Sequence, residues 1–382
     1  MFPRKQLDWS WALFFRGLFY LFFSEKKKAQ SELKKKWGND ALFLLSIRTG
    51  WDAFLESVDW EKGAVVLMSA ITIPHMRDLV VEHGYTPIGV DLNMQTLEVG
   101  EEDLISAIEE HKPKAFVFAH LLGSFADLEA IKNLCQKHDV ILVEDCAQSF
   151  NGVNNRAFLG DIAMYSFGTI KTASALGGAV ICFKDPAMRA KVQNIIASYP
   201  LRKQSVYAKK LLTSALFLIL SKPFFFGILS TLNPNYDAFI RRASRGFSGE
   251  LWLKKLRHQP GSALLKMLAF RHLNYSSERV QQRQRCGEEA LTTFQSLGLD
   301  IVASRAKSRT HWLLCLQVQD PDRVVIRCRA LGFDLTRGSS VMISIGGSCA
   351  TQTMKSIVYI PCYSPLGKDE YRVIAGVIRG DL

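Results

Sequence analysis

Strand-like and helix-like segments alternate from about residue 40 to residue 200. That alternation restricts the chain to an α/β layered fold with a largely parallel sheet. Residues 64–68 (AVVLM), 86–92 (TPIGVDL), 115–123 (AFVFAHLLG, strand and exit loop), 140–146 (VILVEDC), 161–168 (DIAMYSFG) and 177–183 (GGAVICF) read as strands. Helices are expected at 75–84, 104–111 and 127–139, the last with Leu128, Ile131 and Leu134 on one side. In such sheets ligands collect at the carboxyl ends of strands.

After residue 245 the pattern turns helical, with long helices expected over 258–275 and 277–298. Strands are then expected at 311–318 and 324–329, and a closing helix at 366–379. With 382 residues, 48% of them hydrophobic, the chain can bury a large core and fill two domains. The expected division is an N-terminal amphipathic segment at 1–38, a large domain at 39–284 and a small C-terminal domain at 285–382.

The net charge of +12 raises nucleic acid and anionic membranes as partners. The basic residues adjoin apolar runs and do not interleave with aromatics on a strand surface, so the expectation is an anionic membrane surface and no nucleic acid. Residues 9–23 read WSWALFFRGLFYLFF and are followed by Lys26, Lys27, Lys28, Lys34, Lys35 and Lys36. Fifteen helical residues span about 22 Å, short of the roughly 30 Å hydrocarbon layer, and Arg16 adds to the cost of crossing. A helix lying in the interface is expected, or one packed on the protein body. Residues 209–232 are apolar but broken by Lys222 and Pro223, which predicts two short helices meeting at Pro223. This segment, within 205–245, is expected to face a membrane or to bury in a dimer interface. The eight cysteines form no C-x-x-C pair and do not cluster with histidines at ligand spacing, so no metal is expected.

Chemistry concentrates at two strand ends. Asp145 closes one strand and Lys171 follows the next, ahead of the small-residue stretch TASALGGAV. An acid to hold a pyridine nitrogen protonated and a lysine to carry an aldehyde as a Schiff base are what pyridoxal 5′-phosphate (PLP) requires. Gln148 is placed to reach the ring hydroxyl or to orient a neighbour. Ser166 and Thr169 offer hydroxyls to a phosphate. Ser46, Arg48, Thr49 and Gly50 precede a helix pattern, where backbone amides favour a phosphate dianion; an ordinary capped helix is the other reading.

With these residues in hand, the chain resembles the DegT/DnrJ/EryC1/StrS family of fold type I PLP-dependent aminotransferases. The resemblance is carried by HLLGSFADLEAI (120–131), by the block 143–185 from VEDCAQ to VICFKD, and by IVYIPCYSPLGKDEYRVIAGVI near the end. It implies a three-layer α/β/α large domain with a smaller C-terminal α/β domain. It assigns Asp145 to the pyridine, Gln148 to the A-Q dipeptide, Ser166 to the phosphate and Lys171 to the Schiff base. It implicates Arg48, Thr49 and Gly50 in the phosphate-binding helix start. The family commonly sets Phe or Trp over the cofactor face. Here Ile71, Ile73 and His75 stand there, giving His75 a stacking or proton-transfer role or leaving it as a helix-start residue. For the family's glycine-asparagine-arginine segment, LRHQP offers Arg257, His258 and Gln259.

The resemblance further implies a homodimer and ping-pong transamination with glutamate as donor. The apolar segments turn the expected acceptor toward a lipid or lipid-linked carbonyl, met by a peripheral or monotopic enzyme on the cytoplasmic side of the membrane. The alternatives are a soluble nucleotide-ketosugar aminotransferase, or dehydration, decarboxylation or acyl condensation on the same cofactor.

Overall fold

The computed structural model describes residues 1–152, 158–233, 235–244, 247, 249, 251–337 and 342–381. Part of the family-like block, 153–157, and residues 234 and 245 of the apolar segment lie outside the described residues. Along the chain run α1 (Trp11–Phe22), α2 (Lys26–Trp37), β1 (Ala41–Leu44), α3 (Ile47–Ser57), β2 (Val65–Ser69), β3 (Ile71–Thr72), α4 (Pro74–Glu82), β4 (Thr86–Val90), α5 (Glu101–His111), β5 (Ala115–Ala119), α6 (Glu129–Lys137), β6 (Ile141–Asp145), β7 (Ile162–Ser166) and β8 (Ala179–Phe183). There follow α7 (Pro186–Ser198), α8 (Gln204–Leu220), α9 (Pro223–Leu232), α10 (Tyr236–Ser244), α11 (Trp252–Leu256), α12 (Ser262–Leu273), α13 (Glu278–Ser296), β9 (Leu314–Gln317), α14 (Pro321–Ala330), β10 (Ile343–Ser344), α15 (Ser348–Ser356), β11 (Ile357–Ile360) and α16 (Lys368–Arg379).

Two compact units divide the chain: Met1–Gln6, Glu61–Asn151 and Ser277–Leu382 form one, Leu7–Trp60 and Gly152–Ser276 the other. This partition does not follow the boundaries near 38 and 284 that the sequence suggests.

In the first unit, β6, β5, β2 and β4 lie side by side and parallel. Every residue of β5 is buried, as expected for a strand covered on both faces. Parallel pairing brings the carboxyl ends of the strands to one edge, where Ala119 stands opposite Asp145. The C-terminal part pairs β9 with β11 antiparallel and covers them with helices around Phe294, Leu316, Val358 and Tyr371. The strand expected at 324–329 is instead the middle of α14. Asp320 caps that helix, its side chain accepting from the Arg323 amide at 3.0 Å, and Pro321 occupies the first turn. These start signals, with burial of Val324, Val325 and Cys328 on one face, outweigh the β-branched run.

In the second unit, β1, β8 and β7 form an antiparallel sheet. Helix α3 packs tightly on it: a Cβ at Gly50 would run into Ile181 and Leu44, so glycine permits the approach. Helix α1 buries Leu13, Phe14, Gly17 and Tyr20. Gly17 admits Leu211 of α8, and the Arg16 guanidinium stacks 3.9 Å above Phe270 of α12. The break at Pro223 falls where the sequence places it, and α8 and α9 meet there at 99°. Among the described residues no single helix is long and apolar enough to cross a membrane, although this bent pair passes a test of length and composition.

Candidate active site

The first unit supplies Asp145 at the carboxyl end of β6. Its Oδ1 accepts from the Ala147 amide at 2.9 Å and its carbonyl from the His120 amide at 3.0 Å, which fixes the residue at the strand exit. Gln148 is buried; its Oε1 accepts from the Leu122 amide at 2.9 Å, and its Nε2 faces Met342 Sδ at 3.4 Å. Of the two roles open to Gln148, this geometry supplies the orienting one, tying the loop after β6 to the loop after β5. His75 lies half-buried in the first turn of α4.

Behind Asp145 sits a group that linear spacing did not disclose. Glu144 points to the opposite face of the sheet, as its neighbour in a strand must. It meets His120 Nε2 at 3.1 Å. His120 Nδ1 accepts from the Ala126 amide at 3.3 Å, which assigns the ring proton to Nε2, and the ring stacks on Phe125 at 4.4 Å. Cys146 completes a buried trio whose ligand-capable atoms lie within 4.8 Å of one another. Both imidazole nitrogens are already engaged, so hydrogen bonding accounts for the cluster without an ion.

The second unit supplies Ser166, Lys171 and the start of α3. Ser166 ends β7, and the Lys171 amide donates to Gly168 O at 3.0 Å, closing a turn. A Cβ at Gly168 would stand 3.8 Å from Ser166 Oγ and 3.9 Å from Lys171 Cγ, so the hydroxyl and the lysine stem flank one small backbone element. Beyond it, Ala173 has φ +52° and Leu176 φ +61°, a costly shape for side-chain-bearing residues. Asp8 and Arg271 hold that shape. Asp8 Oδ2 accepts from the Ala173 amide at 2.7 Å and from Tyr275 Oη at 2.8 Å. Arg271 Nε donates to Ser174 O at 3.0 Å, and its Nη2 lies 2.9 Å from Asp8 Oδ1. Neither Asp8 nor Arg271 carries a sequence signal, because their partners are far away along the chain.

Ser46 caps α3, accepting from the Thr49 amide at 3.1 Å, while Thr49 Oγ1 donates to Leu256 O at 2.9 Å. The Arg48 guanidinium lies 4.7 Å from the centre of the Phe247 ring, and burial lowers its pKa to about 10. Lys210 donates to Leu176 O at 3.0 Å; burial first, then the charges of Arg202 and Arg48, pull its pKa down to about 8. Arg257 forms a fork on Asp52, both bonds 2.9 Å, and Tyr199 Oη donates to the same carboxylate at 3.1 Å. The hydrogen bond that Arg257 donates to Asp52 raises its pKa. Arg257 thus braces α3 through the buried Asp52.

The donor set of the second unit fits the aldehyde and phosphate of PLP: an amine and a hydroxyl flanking one glycine, and a capped helix start with an adjacent cation. The first unit, by itself, offers a carboxylate fixed at a strand end. The fold is that of the fold type I PLP-dependent transferases. Residues 41–212 match the DegT/DnrJ/EryC1/StrS aminotransferase family. The chain is 29% identical over 144 residues to the GDP-perosamine synthase of Vibrio cholerae, covering 36% of this chain and 39% of that relative's length. Among solved structures it resembles the aminotransferase TlmJ of Streptoalloteichus hindustanus with a TM-score of 0.71 at 15% identity, over 100% of this chain and 98% of that one. It also resembles the E. coli GDP-4-keto-6-deoxy-D-mannose-3-dehydratase with bound hydrated PLP, with a TM-score of 0.70 at 14% identity over 99% of both chains. An aminotransferase and a dehydratase therefore share this fold, and the fold alone does not choose the reaction.

Proposed function

We propose that this chain is a PLP-dependent aminotransferase that moves an amino group from glutamate to the carbonyl of a nucleotide-linked ketosugar. The observation that carries the acceptor class is the cationic group Arg48, Arg202 and Lys210 in the lysine-bearing unit. Arg202 and Lys210 line one pocket, and the charges of Arg202 and Arg48 both lower the pKa of Lys210. Such a group suits the phosphates of a nucleotide. The relationship to a GDP-sugar enzyme supports the same class. It turns the reading away from the lipid acceptor that the apolar segments suggest.

Bound PLP supplies an electron sink for charge developing at the substrate's Cα. Lys171 Nζ would hold the cofactor's aldehyde and, as a free amine, would take the proton from the donor's Cα. The Asp145 carboxylate would hold a proton on the ring nitrogen. Ser166 Oγ and the start of α3, with Arg48 beside it, would bind the phosphate. Gln148 ties the loop that follows Asp145 to the loop after β5. As the family resemblance implies, the working unit is a homodimer.

A second reading concerns where the enzyme works. Outward-facing Phe15, Phe19 and Phe22 on α1, Leu212 and Leu216 on α8, and Phe224 on α9 leave large apolar side chains exposed, Phe22 at 80% and Phe224 at 72%. Residues 200–257 carry eleven Lys or Arg against two acidic residues. Two copies docked on this surface would oppose like charges, whereas an anionic bilayer would accept both the aromatics and the cations. We read the enzyme as peripheral on such a surface.

The test is spectroscopic. PLP-loaded protein should show a visible band that Lys171→Ala abolishes. Glutamate should bleach the band, and a nucleotide-ketosugar should restore it. A band that glutamate leaves unchanged, with the sugar recovered dehydrated and unaminated, would replace transamination by dehydration.

A further inference from the structure

Within the second unit, α2, β1 and α7 enclose a cleft of about 460 Å³, a volume typical of small-molecule sites. Its charged lining is entirely cationic: Lys26, Lys27, Lys34 and Arg189. Among the described residues none of the four pairs with a carboxylate. Glu32 of α2 is committed to Lys266, at 2.7 Å.

Two of the cations are held by neutral amides. Lys26 Nζ donates to Gln259 Oε1 at 2.6 Å, and Gln259 Nε2 is itself anchored on Ala197 O at 3.0 Å and Tyr199 O at 2.8 Å. Arg189 Nη1 donates to Gln193 Oε1 at 2.9 Å. An amide orients a cation without neutralising it, so the positive potential of the cleft stays uncompensated. Burial lowers the pKa of Lys26, which shows that holding this charge here has a cost. Leu42, Leu44, Ile196 and Pro260 provide an apolar floor.

We propose that this cleft binds a phosphate-bearing polyanion, its diphosphate or phosphomonoester held by Lys26, Lys27, Lys34 and Arg189 and its remainder resting on the apolar floor. Neither Ser166, Lys171 nor any residue at the start of α3 lines this cleft, and the site does not depend on the acceptor proposed above. The same chemistry is available from a soluble nucleotide or from a lipid headgroup.

The experiment uses full-length PLP-loaded protein and inorganic pyrophosphate, followed by calorimetry. Saturable binding is expected, weakened about tenfold or more in Lys27→Gln/Lys34→Gln. The control Lys28→Gln/Lys35→Gln removes the same charge from exposed positions outside the cleft and should bind within about twofold of wild type. No saturable binding, or equal loss in both double variants, overturns the proposal. Flotation with phosphatidylcholine vesicles containing phosphatidic acid separates the sources. Selective loss in the Lys27/Lys34 variant identifies a headgroup; unchanged flotation with lost pyrophosphate binding identifies a soluble phosphate compound. Failure to form the visible band would count against the aminotransferase reading and leave the cleft result standing.

Discussion

The carboxylate of Asp8 lies 2.7 Å from the backbone nitrogen of Ala173, two residues past Lys171. Through this bond and the ion pair with Arg271, a residue just ahead of α1 holds the left-handed turn that follows the candidate catalytic lysine. Asp8→Ala leaves the nearly buried Arg271 without its carboxylate and the Ala173 amide without its acceptor. Removing one partner of such a pair costs about 3 kcal/mol. Urea unfolding should show that loss. PLP titration monitored at the visible band should show an affinity about tenfold weaker, because Lys171 is no longer held in place. Asp8→Asn should recover part of both.

A second brace lies at α3. Arg257→Met would remove the charged fork from the fully buried Asp52, while the neutral Tyr199 hydroxyl still donates to it. The expected loss of stability is about 3 kcal/mol or more. Arg257→Lys retains charge but loses the fork, and should fall between. If Arg257 acts only as a brace, PLP affinity measured below the unfolding midpoint should stay within about twofold of wild type in the lysine variant.

These braces mark the limit of what the sequence discloses. The buried parallel strands β2, β5 and β6 are legible because strands covered on both faces are unbroken apolar runs. Asp145, Ser166 and Lys171 are legible because their positions at strand ends are local. The helical state of Val324–Arg329 was obscured by its β-branched residues, since Asp320 and Pro321 decide it from outside the run. Asp8 with Ala173 and Asp52 with Arg257 are separated by 165 and 205 residues, and no local pattern reports such contacts. The His120–Glu144–Cys146 cluster needs both the pairing of β5 with β6 and the alternation of side chains before its members can be seen to converge.

Lys210 gives the protein a pH dependence of known sign. Its pKa is about 8 in the folded chain against an ordinary 10.5. Between those values the unfolded chain binds more protons, so this group makes stability rise as pH increases from about 8 to 10.5 and contributes no further change outside that window. Anion binding moves oppositely: below about 8 the side chain is an ammonium that attracts phosphate, and above it a neutral amine. The KM for a nucleotide-sugar acceptor should therefore climb above pH 8. Lys210→Met should remove both the inflection in KM and the alkaline gain in urea midpoint.

Surface attachment can be separated from folding because the residues concerned are already exposed. Phe15 is 62% and Phe19 55% accessible, both on the outward side of α1 opposite Leu13, Phe14 and Gly17. Phe15→Ser/Phe19→Ser therefore removes little buried area and should leave the melting temperature within about 2 °C of wild type. Each ring that inserts into a bilayer interface contributes roughly 1–2 kcal/mol of apolar transfer, so losing two should lower the partition coefficient onto anionic vesicles at least about tenfold. Raising the salt concentration should weaken binding of the wild-type chain through its cations while leaving the aromatic contribution in place. If the serine variant floats with anionic vesicles as fully as wild type, α1 does not contact the bilayer. Its elution volume in size-exclusion chromatography then tests whether the same stripe is buried in the dimer.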